Sequence, residues 1–254
     1  MKHNIVTYAA ATAIVVLGFI FWETGFAYFV IGGIALLYLS ITAYGSAQIG
    51  ANYFLRSINR GTKKSIALTF DDGPDPDNTP RILAILREKQ VSATFFVIGK
   101  KAEKEPALLR QILAEGHTVA NHSYSHNVFI GFFSTARLVR DFEKCNQVIQ
   151  DITGKRPAYL RPPFGVTNPR YAAVLQQLHM HSIGWSLRSL DTRAKNKYQL
   201  IDRILTRLKK RDIVLLHDHL SVTADALEDV IEHCRQKRVV IEPLHTIIQK
   251  EPYA

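Results

Sequence analysis

From Ser65 onward the chain alternates short apolar runs with longer amphipathic stretches, and this rhythm limits the possible folds more than any other feature. The runs are Ser65–Phe70, Ala93–Ile98, His117–Ala120, Ala158–Arg161, His181–Trp185, Asp212–Leu216 and Arg238–Ile241. Several are apolar without polar alternation, as expected of strands covered on both faces. The stretches between them carry apolar residues at helical spacing. Arg81–Lys89 places Ile82, Leu83, Ile85 and Leu86 together, and Ser134–Ile152 places Leu138, Phe142, Cys145, Val148 and Ile149 together. Pro106–Glu115 has a proline at its start and Gly116 just past its end, the usual asymmetry of helix termini. Asn168–Leu178, Lys197–Leu208 and Ala224–Gln236 complete the series. Strand-helix alternation implies parallel strands with crossover helices. The fold predicted is α/β: a distorted (β/α) barrel of about seven strands, closed or nearly so, with its chemistry at the C-terminal strand ends.

Before this region lie two apolar segments, Ile5–Trp22 and Phe26–Tyr44, separated by Glu23-Thr-Gly25. Each is long enough to cross a hydrocarbon layer of about 30 Å. A signal peptide would have a shorter apolar core and a small-residue cleavage site, and Ala9–Ala13 lies too early to be one. The expected organisation is a transmembrane helical hairpin over residues 1–50, a basic juxtamembrane linker over 51–64 and a soluble domain over 65–254.

Lys2 precedes the first segment, and Arg56, Arg60, Lys63 and Lys64 follow the second, whereas the turn between them carries only Glu23. The positive-inside rule then places both ends, and the domain, on the cytoplasmic side of a bacterial-type membrane. If only one segment spanned, the domain would lie outside. The same cations suit anionic membrane lipids. They supply part of a formal net charge of +10. The remainder is scattered with no stripe of interleaved aromatics, so nucleic acid is not an expected partner. Cys145 and Cys234 both fall in predicted helices and read as buried reduced thiols rather than a disulfide.

Three short runs carry candidate chemistry, each just past a predicted strand: Thr69-Phe-Asp-Asp-Gly-Pro74, Asn121-His-Ser-Tyr-Ser-His126 and Leu215-Leu-His-Asp218. Adjacent carboxylates on an extended chain point to opposite sides, so Asp71 and Asp72 can hold different jobs. The plainer reading of Asp-Asp-Gly-Pro is a turn that caps the next helix. His122 and His126 can reach one cation from a helical turn or folded loop. With one Asp they leave coordination positions open, which suits a catalytic site holding zinc or another divalent first-row metal. His217 at a strand end is either ordinary packing or a proton donor on the face shared by the other runs. Arg161 opens Arg-Pro-Pro-Phe-Gly165, either a rigid turn or a guanidinium that holds a carboxylate ionised. Asp191, a short loop beyond Trp185, can orient a histidine.

In this order the runs resemble the polysaccharide deacetylase family, the NodB-homology or carbohydrate esterase family 4 enzymes, over roughly Lys64 to Ile248. The resemblance implies that Asp71 is the general base and that Asp72, His122 and His126 bind a divalent metal, zinc foremost. It implies that Arg161 holds Asp71 and that His217 protonates the leaving amine. Leu215 would line the pocket for the acyl methyl, and the Phe164 backbone N–H would help stabilise an oxyanion. Trp185 joins Phe164 and Leu215 among the implied substrate-binding residues. The family's fourth motif, Asp-x-x-Asp-Trp, is altered: Arg188-Ser-Leu-Asp-Thr192 keeps Asp191, which tunes His217, but Arg188 and Thr192 replace the first Asp and the groove-lining Trp. The implied activity is metal-dependent removal of N-acetyl groups from amino sugars of a glycan such as peptidoglycan, a chitin-like chain or an exopolysaccharide. A polyprenol-linked amino sugar at the cytoplasmic membrane face is the alternative substrate. A non-catalytic glycan-binding protein is the alternative from another class.

Overall fold

The computed structural model describes residues 2–254. Two N-terminal helices, α1 (Lys2–Ile20) and α2 (Phe26–Ala47), are long and apolar enough to cross a membrane. They pair antiparallel, with Thr7 against Tyr38 near one end and Phe21 against Phe26 at the turn. Most of their large apolar side chains are exposed.

The domain that follows runs β1 (Ala67–Asp71), α3 (Thr79–Glu88), β2 (Thr94–Val97), α4 (Gly99–Lys104), α5 (Pro106–Ala114) and β3 (Thr118–Asn121). It continues with α6 (Thr135–Thr153), β4 (Tyr159–Leu160), α7 (Pro169–Gln177), β5 (His181–Ser182), β6 (Leu187–Arg188), α8 (Lys197–Arg207), β7 (Ile213–His217), α9 (Ser221–Gln236) and α10 (Leu244–Ile248). Seven parallel strands lie in the order β5-β4-β3-β2-β1-β7-β6. The α/β barrel-type prediction holds, as a curled half-barrel whose edges β5 and β6 do not pair.

Local sequence explains most boundaries. Ser134 caps α6 by accepting from Arg137 N, and Gly154 ends it at φ 72°. Asn168 and Asn196 cap α7 and α8 in the same way. One expected strand fails. Arg238–Ile241 forms a single bridge, Ile66 to Ile241, because Pro243 follows at once and cannot extend a ladder. The seventh strand is instead Leu187–Arg188, too short and too polar in its surroundings to read as a run.

The main core lies between the sheet and the helices outside it. Phe70 and Phe95 stack there at 5.0 Å among Leu68, Leu83, Ile112 and Ile231. Each such side chain contributes roughly 1.5–3 kcal/mol by leaving water. Cys145 and Cys234 are buried, free thiols.

The segment between hairpin and sheet is built into the domain. Tyr53, Phe54 and Leu55 are buried. Ile58 N donates to Ser182 O at 2.9 Å and accepts through its own carbonyl from Gly184 N at 2.9 Å. Three residues on, Gly61 N donates to Arg211 O at 2.9 Å. This segment therefore crosses the open seam from β5 toward the start of β7. Both ends of the hairpin meet it or its neighbours. Lys2 Nζ donates to Ala51 O at 2.7 Å, and Ser46 exchanges two hydrogen bonds with Thr167, at 2.7 and 2.9 Å.

Candidate active site

Parallel pairing brings the three sequence runs to one rim. Asp71, at the end of β1, is in register with His217 at the end of β7 and with Phe96 on β2. Asp72 then turns at φ 73°, and Gly73 passes so close to Asp218 that a Cβ there would sit 1.9 Å from a carboxylate oxygen. Only glycine allows that approach.

His122 and His126 come from a folded loop after β3. Asn121 organises it: its side chain accepts from Ser123 N at 2.7 Å and donates to Phe142 O and Asn146 Oδ1. Ser123 takes φ 67°, accepts from His126 N at 2.9 Å, and so folds the loop back on itself. Asp141 on α6 accepts from Tyr124 N at 3.0 Å. Asn121, Ser123 and Asp141 were not among the expected site residues; Asn121 and Ser123, which flank His122 within one short run, carried a local signal, and Asp141 carried none.

The centre of the arrangement is Asp72. Its Oδ1 lies 3.4 Å from His122 Nε2 and 3.2 Å from His126 Nε2, and the three ligand atoms lie within 4.8 Å of one another. His122 Nδ1 is 2.8 Å from Arg161 O, so Nδ1–H donates to that carbonyl and Nε2 keeps its lone pair for the centre. Burial above all pushes the His126 imidazole down to about 4, so it is neutral and a competent ligand. Burial alone would raise the Asp72 carboxyl. The imidazoles around it, His122 foremost, outweigh burial and hold the group ionised, well below the usual carboxylate range. Asp72 Oδ1 is nonetheless buried without a hydrogen-bond partner. A buried anionic oxygen beside two imidazole lone pairs fits a divalent cation and little else.

Two supported pairs flank this triad. Arg161, fully buried, donates from Nη1 to Asp71 Oδ1 at 2.6 Å and to Thr69 Oγ1 at 2.9 Å, while Nη2 reaches Gly184 O at 2.9 Å. Across the site, His217 Nδ1–H donates to Asp191 Oδ1 at 2.8 Å, and His217 N donates to Asp191 Oδ2 at 2.7 Å. Thr223 Oγ1 donates to the same carboxylate at 3.0 Å. Burial lowers the His217 imidazole, but its hydrogen bond to Asp191 and the carboxylates around it raise it to about 9. His217 Nε2 then faces Asp72 Oδ2 at 4.0 Å.

The Arg161–Gly165 turn closes one wall. Phe164 sits at φ 61° and Gly165 at φ 67°, and the Phe164 ring lies 4.6 Å from that of His126. Leu215 is buried two residues before His217, on the same strand face. Trp185 stands a layer back: its ring packs so tightly on Gly165 that a Cβ there would come within 2.3 Å. It braces the turn from behind. His219 also borders the site, with Nδ1 3.9 Å from Asp72 Oδ2.

A half-barrel of parallel strands with an Asp-His-His cluster that could hold a metal ion, a buried Arg–Asp pair and an Asp–His pair at its C-terminal rim has the form of a metal-dependent hydrolytic centre. The sequence pattern of the polysaccharide deacetylase family matches residues 58–183. A peptidoglycan-N-acetylglucosamine deacetylase of Bacillus cereus is 32% identical over 180 residues, covering 69% of this chain and 84% of the relative. The chain belongs to the polysaccharide deacetylase family. Peptidoglycan-N-acetylmuramic acid deacetylase PdaC of Bacillus subtilis is 34% identical over 67% of this chain, which spans only 36% of that longer relative. Among solved structures, the Bc1960 peptidoglycan N-acetylglucosamine deacetylase superposes with a TM-score of 0.74 at 28% identity, covering 77% of this chain and 94% of the other.

Proposed function

We propose that this chain is a metal-dependent deacetylase of N-acetylated amino sugars, anchored to a membrane by its α1–α2 hairpin. One observation carries the reading: Asp72, with its two imidazoles, lies between a carboxylate paired with buried Arg161 and an imidazole that its neighbours keep protonated. That is a base and an acid on either side of one electrophilic centre.

Asp72, His122 and His126 would hold the metal, zinc foremost given two imidazoles and one carboxylate. When bound, a divalent cation supplies Lewis-acid polarisation of an amide carbonyl and of water. Asp71, fixed by Arg161, takes the proton of the attacking water. The Phe164 backbone N–H, on its strained turn, donates to the oxygen on which charge develops; one such donor is worth about 2.7–4 kcal/mol. His217 gives its proton to the departing nitrogen, and Asp191 stabilises the imidazolium beforehand. Leu215 offers an apolar floor for the acetyl methyl. The products are a free amine and acetate.

The deacetylase names of the relatives support peptidoglycan as the substrate, with chitin-like chains and exopolysaccharides in the same class. A second reading has its own observation. Ser46, at the end of α2, is bonded to Thr167, three residues past Phe164, so the end of the hairpin is docked beside the turn that carries Phe164. This favours a polyprenol-linked amino sugar presented at the membrane surface, and the basic flanks of the hairpin favour its cytoplasmic face. Acetate release from N-acetylated peptidoglycan fragments and from a polyprenyl-linked N-acetyl amino sugar tests both readings. The variant Asp71→Asn should keep its metal and lose turnover; near-normal activity in it would remove the base assignment. Bound metal with no acetate from any glycan would leave a binding protein instead. A reporter fused after Ala254 reads the side of the membrane.

A further inference from the structure

A pocket of about 930 Å³ lies outside the site just described, between the end of α2, the seam segment, the edge strand β6 and α8. Its wall carries Arg60, Arg188, Arg203, Arg207 and Lys209, and Gln48 lines its side next to the hairpin. The acid in its wall, Asp212, is buried and already engaged by Arg60 at 3.2 Å, by Ser186 Oγ at 2.7 Å and by Lys209 N at 2.7 Å. Among the described residues, Arg188, Arg203, Arg207 and Lys209 have no carboxylate within ion-pair distance. Arg203 Nε is buried with no hydrogen-bond partner, while its Nη2 donates to Arg188 O at 3.3 Å. Burial, then the charges of Arg207 and Arg188, pushes the Arg203 guanidinium below its usual value. Like charges gathered around a concavity, with one donor left open, suit an anion.

We propose that this pocket binds a phosphate group, held by Arg188, Arg203 and Arg207 where α2 meets the domain. Guanidinium forks suit phosphate because they offer paired donors at matching spacing, and three of them balance a group of one to two negative charges. Reading the hairpin as a membrane anchor puts Ala47 and Gln48 at the lipid–water boundary, which is the depth of lipid phosphates. Three sources share this chemistry: an anionic bilayer lipid, a polyprenyl phosphate carrying the substrate, and free phosphate. The altered fourth motif then has a role, since Arg188 brings a cation to the rim where the family pattern has an acid.

The test uses the full chain with Trp22→Phe, which leaves Trp185, in the pocket wall, as the remaining tryptophan of two. Its fluorescence is followed in detergent during titration with sodium phosphate or a polyprenyl monophosphate. It is followed again in phosphatidylcholine nanodiscs with and without phosphatidylglycerol, always at matched ionic strength in sodium chloride. A saturable phosphate-dependent change is expected. Arg203→Gln with Arg207→Gln should weaken it by about tenfold or more, and Arg207→Lys should retain it. Polyprenyl phosphate binding about tenfold tighter than inorganic phosphate points to the substrate lipid. Saturation in phosphatidylglycerol discs alone points to bulk lipid, and equal affinity for all probes points to free phosphate. No saturable response to any probe, or an unchanged response in the double variant, overturns the proposal. Should the double variant unfold by circular dichroism, Arg207→Gln at its exposed position decides alone. Acetate release measured in parallel tests the deacetylase reading separately, so either can fail without the other.

Discussion

His217 and Asp191 are joined twice, through the imidazole Nδ1–H at 2.8 Å and through the His217 backbone N–H at 2.7 Å. The first bond fixes the tautomer and favours the imidazolium; the second fixes where the ring stands. The folded-state value of about 9 lies above the ordinary imidazole value of 6.5. The pair therefore contributes stability that is complete below pH 6.5 and is lost as pH rises through about 9. Activity that needs the protonated ring falls over the same upper limb. A cation beside Asp72 offsets that carboxylate's share and leaves Asp191 as the main source. In Asp191→Asn the alkaline limb of kcat/KM should move toward neutral pH by a unit or more. A limb that stays in place would show that the proton donor is another group.

Arg161 and Asp71 form a buried pair, and removing one partner strands the other. Arg161→Ala should lower stability by about 3–5 kcal/mol, and Arg161→Lys should recover only part because it cannot serve Asp71, Thr69 and Gly184 together. Urea denaturation measures the first effect and acetate release the second.

Chelation should abolish turnover and lower Tm, since a ligand bound only by the folded state stabilises it. Restoring zinc should restore both. Asp72→Asn should lose most metal, read by elemental analysis of the dialysed protein, while Asp71→Asn should not. Equal metal loss in both would mean that the two carboxylates do not divide the work as the geometry indicates.

Gly165→Ala should be destabilising on two counts. It would put a Cβ at φ 67° and within 2.3 Å of the Trp185 ring. Strain and overpacking each cost about 1–3 kcal/mol. The turn that aims the Phe164 N–H should shift with it, so kcat should fall more than KM rises. Trp185→Ala in the same chain should relieve the contact and recover part of the loss.

The strand and helix rhythm was legible because each element answers to local chemistry: a Ser or Asn cap, a glycine stop, a run without polar alternation. Two elements were not. Arg238–Ile241 has strand composition, but its place beneath β1 offers one bridge and then Pro243. Leu187–Arg188 is a strand only because β7 lies beside it. The packing of the seam segment was not legible for a related reason. Its cations suggested a spacer, yet Tyr53, Phe54 and Leu55 are buried and it bridges the gap that the half-barrel leaves open.

Sequence alone determined the candidate groups of the site, because adjacent carboxylates, paired histidines and a strand-end histidine are written into three short runs. It also determined the two apolar helices, whose length needs no tertiary contact. Only tertiary structure decided which oxygen of Asp72 faces both imidazoles, that Asn121, Ser123 and Asp141 hold the histidine loop, and that Ser46 ties the hairpin to the wall of the site. Those relations join residues up to 121 positions apart, and they exist only once parallel pairing has set the strand ends side by side.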